Sequence, residues 1–301
     1  MKKLYFSVIY LSISLSLTAL AVTVNADPLH ILLTNDDGIE APGIKAVEEA
    51  LLSAGYRISI VAPRSQQSAT SMKVTTKKLS FEKLSANRWA VDGSPADSVA
   101  VALDVFLSED LPDLIVSGAN FGQNLGSNTN LSGTVGAALM GMQMGIPGIA
   151  VSVGLHMSES TAKPVRFPST LSSFPGAADF TIALIKQLER TQPSSDVPLL
   201  PANMILNVNY PAIAQNKIIG ARIADVARRG GFVAEYVAGD SMNELKINLL
   251  HEQRRDLEMA NADIDLFSKG YITISVLNGH LGAPRDADYA LVNRVNELLV
   301  K

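Results

Sequence analysis

The stretch Ile31-Leu32-Leu33-Thr34-Asn35-Asp36-Asp37-Gly38 decides the fold, because a continuous apolar run opens directly into an amide, two adjacent carboxylates and a glycine. A short run without polar alternation reads as a strand covered on both faces, as in a parallel sheet. Acids delivered to the carboxyl end of such a strand lie at the edge where open α/β sheets bind ligands. With only amide and hydroxyl neighbours, the two carboxylates form a hard oxygen donor set suited to Mg²⁺ or Mn²⁺. The competing reading is a solvated turn, since Asp and Gly are common turn residues.

Outward from this stretch, strand and helix signals alternate. Ala41 to Ala54 places Ile44, Val47, Leu51 and Leu52 at helical spacing before Gly55, and Arg57 to Ala62 is a second β-rich run stopped by Pro63. Val74 to Phe81 and Arg88 to Val91 read as a hairpin excursion, after which Ser94-Pro95 opens a helix carrying Val99, Leu103 and Phe106. Asp113 to Ser117 is the next buried strand, followed by a loop rich in Gly and Asn, a helix from Ser132 to Met144, and a strand from Ile149 to Val153. Strands separated by helices of this length imply right-handed βαβ crossovers and a mostly parallel sheet.

Beyond Gly154 the rhythm loosens. Pro164, Pro168 and Pro175 mark an irregular connection, Ala177 to Leu188 is helical, and Met204 to Val208 is buried strand. Ile218 to Val226 and Phe232 to Leu250 are extended, hairpin-like segments; Tyr271 to Leu277 is a strand and Asp286 to Leu299 a closing helix. No repeat, low-complexity tract or linker composition divides the chain, which points to one core with a smaller β-rich appendage.

Composition narrows the function classes. Lys2 and Lys3 precede an apolar stretch from Leu4 to Val22, and Val24-Asn25-Ala26 has the small-residue pattern of a cleavage site, so residues 1–26 read as an export signal; an uncleaved anchor is the rival. Cleavage predicts a periplasmic protein with no stable membrane anchor. It removes both lysines and no acid, moving the formal net charge from −4 to −6, which argues against polymeric nucleic acid as a partner. Zero cysteines exclude disulfides and thiolate metal sites. A small anionic substrate stays open, because a local cation or helix terminus can outweigh the global charge.

Three polar clusters distant in sequence each follow a predicted parallel strand: Asn35, Asp36 and Asp37; then Arg64, Ser65, Gln66, Gln67 and Ser68; then Ser117, Gly118, Ala119, Asn120 and Asn124. A parallel sheet brings all three to one edge. Ser132-Gly133-Thr134 opens the following helix, whose free N–H groups form an anion cradle, with simple N-capping by Ser132 as the equal alternative. Gly118, Gly122 and Gly126 are spaced four apart, fitting neither a dinucleotide fingerprint nor a P-loop, and read as a tight loop beside a phosphate.

These residues carry a resemblance. ILLTNDDGIEAPGI, VAPRSQQSATS, DLIVSGANFGQNLG and LSGTVGAA resemble, in order and spacing, four signature stretches of the SurE family of survival-protein nucleotidases. The likeness is dense from Ile31 to Val153 and thinner beyond, mainly YITIS at Tyr271 to Ser275. It implies a Rossmann-like three-layer core with a C-terminal β-rich extension used in oligomerisation, as homodimer or homotetramer. It implies one SurE-like domain over residues 27–301, the active site in 27–155 and the rest of the core with the extension in 156–301. The implied activity is hydrolysis of nucleoside 5′- and 3′-monophosphates with one divalent ion, Mg²⁺ or Mn²⁺, per subunit. By motif, Asp36, Asp37, Ser68 and Asn120 would be metal ligands, while Asn35, Asn120, Ser132, Gly133 and Thr134 would lie against the phosphate. Catalysis would rest on Asp36, Asp37 and Asn35. Two features depart from the family: the export signal, and Asn278-Gly279-His280 where a histidine after the late strand is displaced. His280 is therefore assigned no role, and His30, His156 and His251 read as packing or surface residues.

Rival chemistries fit less well. There is no G-x-S-x-G elbow, cysteine nucleophile or H-E-x-x-H helix. An aspartyl nucleophile competes with an attacking water, though the tandem-aspartyl pattern needs an acid where Gly38 stands. An exported solute-binding protein for a phosphorylated ligand is the non-enzymatic alternative, disfavoured because adjacent acids repel phosphate unless a cation intervenes.

Overall fold

The computed structural model describes residues 27–161, 164, 166–194, 196–228, 231–252 and 259–280, with backbone alone at 232–233 and 249–252. The expected signal segment 1–26 and closing helix 286–299 lie outside the described residues. Among the described residues no helix is long and apolar enough to cross a membrane.

The strands are β1 (His30–Thr34), β2 (Arg57–Pro63), β3 (Phe81–Ser85), β4 (Arg88–Val91), β5 (Leu114–Phe121), β6 (Gly148–Val153), β7 (Ile205–Tyr210), β8 (Gly220–Ile223), β9 (Gly231–Ala238), β10 (Leu245–Glu252) and β11 (Tyr271–Leu277). The helices are α1 (Pro42–Ser53), α2 (Pro95–Val101), α3 (Gly133–Gln143), α4 (Pro168–Thr191) and α5 (Asp263–Ser268). Nine strands form one sheet in the order β3-β4-β2-β1-β5-β6-β7-β11-β8, parallel from β4 through β7, while β9 and β10 pair as a separate antiparallel hairpin. From β1 the chain runs outward to β2 and β4, then returns to β5 on the opposite flank of β1. The carboxyl ends of β1 and β5 therefore flank the point where strand order reverses, the ligand crevice of open α/β sheets.

Each face of the sheet is covered, so the core has three layers. Ile31 and Leu33 point toward α1 and α4 with Ile44, Val47, Leu51, Phe174 and Ile185, whereas Leu32 points the other way, toward Val99, Leu103 and Ala137 of the α2 and α3 side. All three β1 side chains are fully buried. Burying such a side chain contributes roughly 1.5–3 kcal/mol, which explains why this strand needs no polar alternation.

Several elements depart from their expected bounds. The first hairpin begins at Phe81, not Val74, because the two-residue Ala86-Asn87 connection sets the register Phe81↔Val91. The preceding segment is drawn onto the start of α2, where Thr75 donates its N–H and hydroxyl to Asp97. Helix α4 runs through Pro168 and Pro175, which were expected to mark an irregular connection. Pro168 occupies the first turn, where its missing N–H costs nothing, and the buried row Thr170, Phe174, Ala177, Ala178, Thr181 and Ile185 holds the helix across Pro175. Strand β5 continues through Asn120 to Phe121 with a register shift after Ser117, so part of the expected loop is ladder.

Candidate active site

Strand β1 ends at Thr34, and the chain turns at once through Asn35-Asp36-Asp37-Gly38. The Asn35 Nδ2 donates to the Gly38 carbonyl (2.8 Å), closing the turn, and Gly38 takes the left-handed conformation (φ +104°) that a side chain would resist. Asn35 and Asp36 are buried; Asp37 is half-buried and faces the crevice. The Ile39 N–H donates to the Pro63 carbonyl and the Gln67 N–H to the Asp36 carbonyl, which ties the loop after β2 to the acid turn.

The acid pair is held by groups from β5 and α3. The Phe121 N–H donates to Asp37 Oδ2 (2.7 Å), and Thr134 Oγ1 donates to Asp36 Oδ1 (2.7 Å). Ser132 caps α3, its Oγ accepting from the Val135 N–H (3.1 Å). Ordinary capping by Ser132 is thus present, and the anion at the helix start is the chain's own Asp36, toward which the Gly133 and Thr134 N–H groups are directed. Gly133 permits this approach: a Cβ there would lie 2.9 Å from both Asp36 Cβ and Thr70 Oγ1.

Burial drives the Asp36 pKa upward against the hydrogen bonds from Thr134 and Gly133. Desolvation and the neighbouring Asp36 charge push Asp37 to about 7, opposed by the Phe121 N–H. Among the described residues no Lys, Arg or His pairs with either carboxylate. In addition, Asn35 Oδ1 is buried without a protein partner. Two uncompensated carboxylates beside an orphaned amide oxygen form a donor set that fits a hard divalent cation.

The remaining expected residues are placed unevenly. Asn120 is buried on β5 at this crevice and donates Nδ2 to the Gly122 carbonyl (2.7 Å), leaving its oxygen for another role. Ser68 lies on an exposed turn adjoining Gln67, with no hydrogen bond that would anchor its hydroxyl to the pair. The Thr134 hydroxyl serves Asp36 directly. No group of three His, Cys, Asp or Glu with metal-binding geometry occurs among the described residues. Of the histidines, His30 is buried against Ser59 and His156 pairs with Ser158.

Sequence reasoning missed the Phe121 N–H, because a backbone donor has no residue signature, and Thr70, whose hydroxyl donates to the Gln67 carbonyl beside Gly133. It also missed Asn207 and Asn209, whose amides face Asn124 from beneath. Two asparagines in the otherwise apolar strand Ile205–Tyr210 were an available signal. Beside Ser132 opens a cavity of about 670 Å³ bordered by Met72, Leu139, Met204, Leu277 and Arg228.

Comparison with known proteins places the chain in a family. The family model described as "Survival protein SurE" matches residues 31–231. The "5'-nucleotidase SurE" of Gloeobacter violaceus is 39% identical over 208 residues, covering 67% of this chain and 71% of the relative. That of Paramagnetospirillum magneticum is 34% identical over 257 residues, covering 84% and 91%. The crystal structure of the SurE protein from Aquifex aeolicus superposes with a TM-score of 0.70 at 28% identity, covering 89% of this chain and 99% of its own. The match spans all the strands that build the crevice, and the chain belongs to the SurE family.

Proposed function

We propose that the protein is a phosphoric monoester hydrolase, a nucleotidase that releases phosphate from nucleoside 5′-monophosphates. The observation that carries this reading is the buried Asp36–Asp37 pair, uncompensated by any basic side chain among the described residues and faced by the start of α3 at the reversal point of the sheet. Relatives named "5'-nucleotidase SurE" support the reaction class. The finer reading adds dependence on one Mg²⁺ or Mn²⁺ ion, held by Asp36 and Asp37 with oxygens of Asn120 and Ser68, and extends the substrate to 3′-monophosphates. When bound, such an ion supplies positive charge to the phosphoryl oxygens and acidifies the attacking water.

The chain's own residues do the remaining work. Thr134 and the Phe121 N–H fix the two carboxylates in orientation, so their charge is organised before substrate arrives. With its oxygens engaged by Thr134 and the helix start, Asp36 is a weak nucleophile, which favours water as the attacking group. The start of α3 at Ser132–Thr134 adjoins Asp36, and Asn35 closes the turn that carries both acids, which supports a phosphoryl group bound beside them.

Release of phosphate from AMP with Mn²⁺ or Mg²⁺, abolished by EDTA and largely lost in Asp36→Asn and Asp37→Asn, is the expected result. Tight AMP binding without turnover in any divalent metal refutes the reading in favour of a binding protein. Residues 1–26 support export, to be checked by the N-terminal sequence of the mature protein. Assembly as a homodimer or homotetramer is supported by the β9–β10 hairpin, which carries Tyr236, Leu245 and Ile247 on one face, each at least 60% exposed.

A further inference from the structure

Beneath the site loop, neighbouring strands place polar residues side by side: Asn120 of β5 aligns with Ser152 of β6, Ser152 with Asn209 of β7, and Asn209 with Thr273 of β11. Ser152, Asn209 and Thr273 are fully buried. Asn209 grips the backbone of Asn124 on both sides, its Oδ1 accepting the Asn124 N–H (2.7 Å) and its Nδ2 donating to the Asn124 carbonyl (3.1 Å). Asn207 donates to the same carbonyl (2.9 Å), while its own Oδ1 stays buried without a protein partner. A half-satisfied buried amide is costly, so the bond it keeps points to a task. The Asn124 side chain separately donates to Ser152 Oγ (2.9 Å). Farther along the loop, Asp263 accepts the Gly126 N–H (2.9 Å), so the segment is anchored at a second point.

We infer that Asn209 is a positioning residue: its amide fixes the Asn124 backbone, which sets the Gly122 carbonyl that Asn120 Nδ2 holds, and so aims the Asn120 oxygen into the acid crevice. This role rests on the nucleotidase reading above. A displacement of a reacting or ligating group by about 1 Å lowers turnover on the order of 100-fold, so a sequence-distant amide can control the rate without touching substrate.

The test compares Asn209→Leu, which keeps the branched shape and removes both bonds, with Ser152→Ala, which removes an equally buried hydrogen bond to the same residue but leaves its backbone gripped. Readouts are kcat and KM for AMP with saturating Mn²⁺, Tm, and amide hydrogen exchange over residues 120–126. Asn209→Leu is expected to lower kcat about 10- to 100-fold with little change in KM, and to speed exchange at the Asn124 N–H. Ser152→Ala keeps kcat near the wild-type value despite a comparable drop in Tm. If the leucine variant fails to fold, Asn209→Ser, which removes the amide without placing apolar atoms against the Asn124 carbonyl, is measured instead. An active wild type whose Asn209 variant loses no more kcat than Ser152→Ala overturns the role. A wild type that releases no phosphate overturns the nucleotidase reading, and this role with it.

Discussion

Replacing Thr134 by Val tests whether the Asp36 carboxylate works only when held. The hydroxyl lies 2.7 Å from Asp36 Oδ1, with Thr134 fully buried and Asp36 only 3% exposed, so no solvent can substitute for it. Valine has nearly the same shape, and the change therefore isolates the hydrogen bond. A bond to a charged group contributes roughly 1.5–3 kcal/mol, which at 1.36 kcal/mol per factor of ten is about 10- to 150-fold. Losses of about 10- to 100-fold are also typical when the hydrogen-bond partner of a metal ligand is removed. The assay is kcat/KM for AMP together with the Mn²⁺ dissociation constant by calorimetry, on protein shown by its Tm to be folded. Thr134→Val should lose activity and Mn²⁺ affinity by such a factor, and Thr134→Ser should recover most of both. A folded valine variant within twofold of wild type on both measures would refute the argument that Thr134 organises the acid pair.

Further predictions follow from the same contacts. Gly133→Ala places a methyl group 2.9–3.0 Å from Asp36 and Thr70; kcat/KM should fall at least about tenfold, measured on protein shown by its Tm to be folded. Asp97 is buried, yet hydrogen bonds from Thr75 and Ser94 outweigh its desolvation and hold its pKa below 3.8. Its contribution, about 1.5–3 kcal/mol, is therefore present above that value and lost as pH falls through the lower folded-state pKa; denaturant titrations of wild type and Asp97→Asn should differ at pH 7 and converge in strong acid. Mn²⁺ at 100 times its dissociation constant should stabilise the wild type by about 2.7 kcal/mol and leave the Asp36→Asn/Asp37→Asn double variant unshifted in thermal melts. Tyr236→Asp with Ile247→Asp should lower the mass measured by light scattering if the exposed hairpin face joins subunits.

Much of the molecule was readable along the chain, and the reason is locality. Burial on both faces lets a parallel strand run apolar from Ile31 to Leu33, so β1 announces itself, and an acid pair directly after this strand is placed by the strand alone. Ser94-Pro95 and Ser132-Gly133 mark their helices by capping chemistry that spans four residues. Helix α4 defied this local grammar, because the packing of Phe174, Ala177 and Ile185 on the sheet outweighs the bond lost at Pro175.

Which groups touch the acids was settled by long-range packing. Thr134 reaches Asp36 across 98 residues and the Phe121 N–H reaches Asp37 across 84, and both contacts depend on β1 and β5 being neighbours at the reversal of strand order. The sequence already located the carboxylates and the oxygen-rich loops that could surround them. Packing set the Thr134 hydroxyl against Asp36, left Ser68 on an exposed turn, and brought Asn209 under Asn124. Periodicity reports which face of an element is buried; the meeting of two elements is set by sheet order and register, which no local pattern encodes.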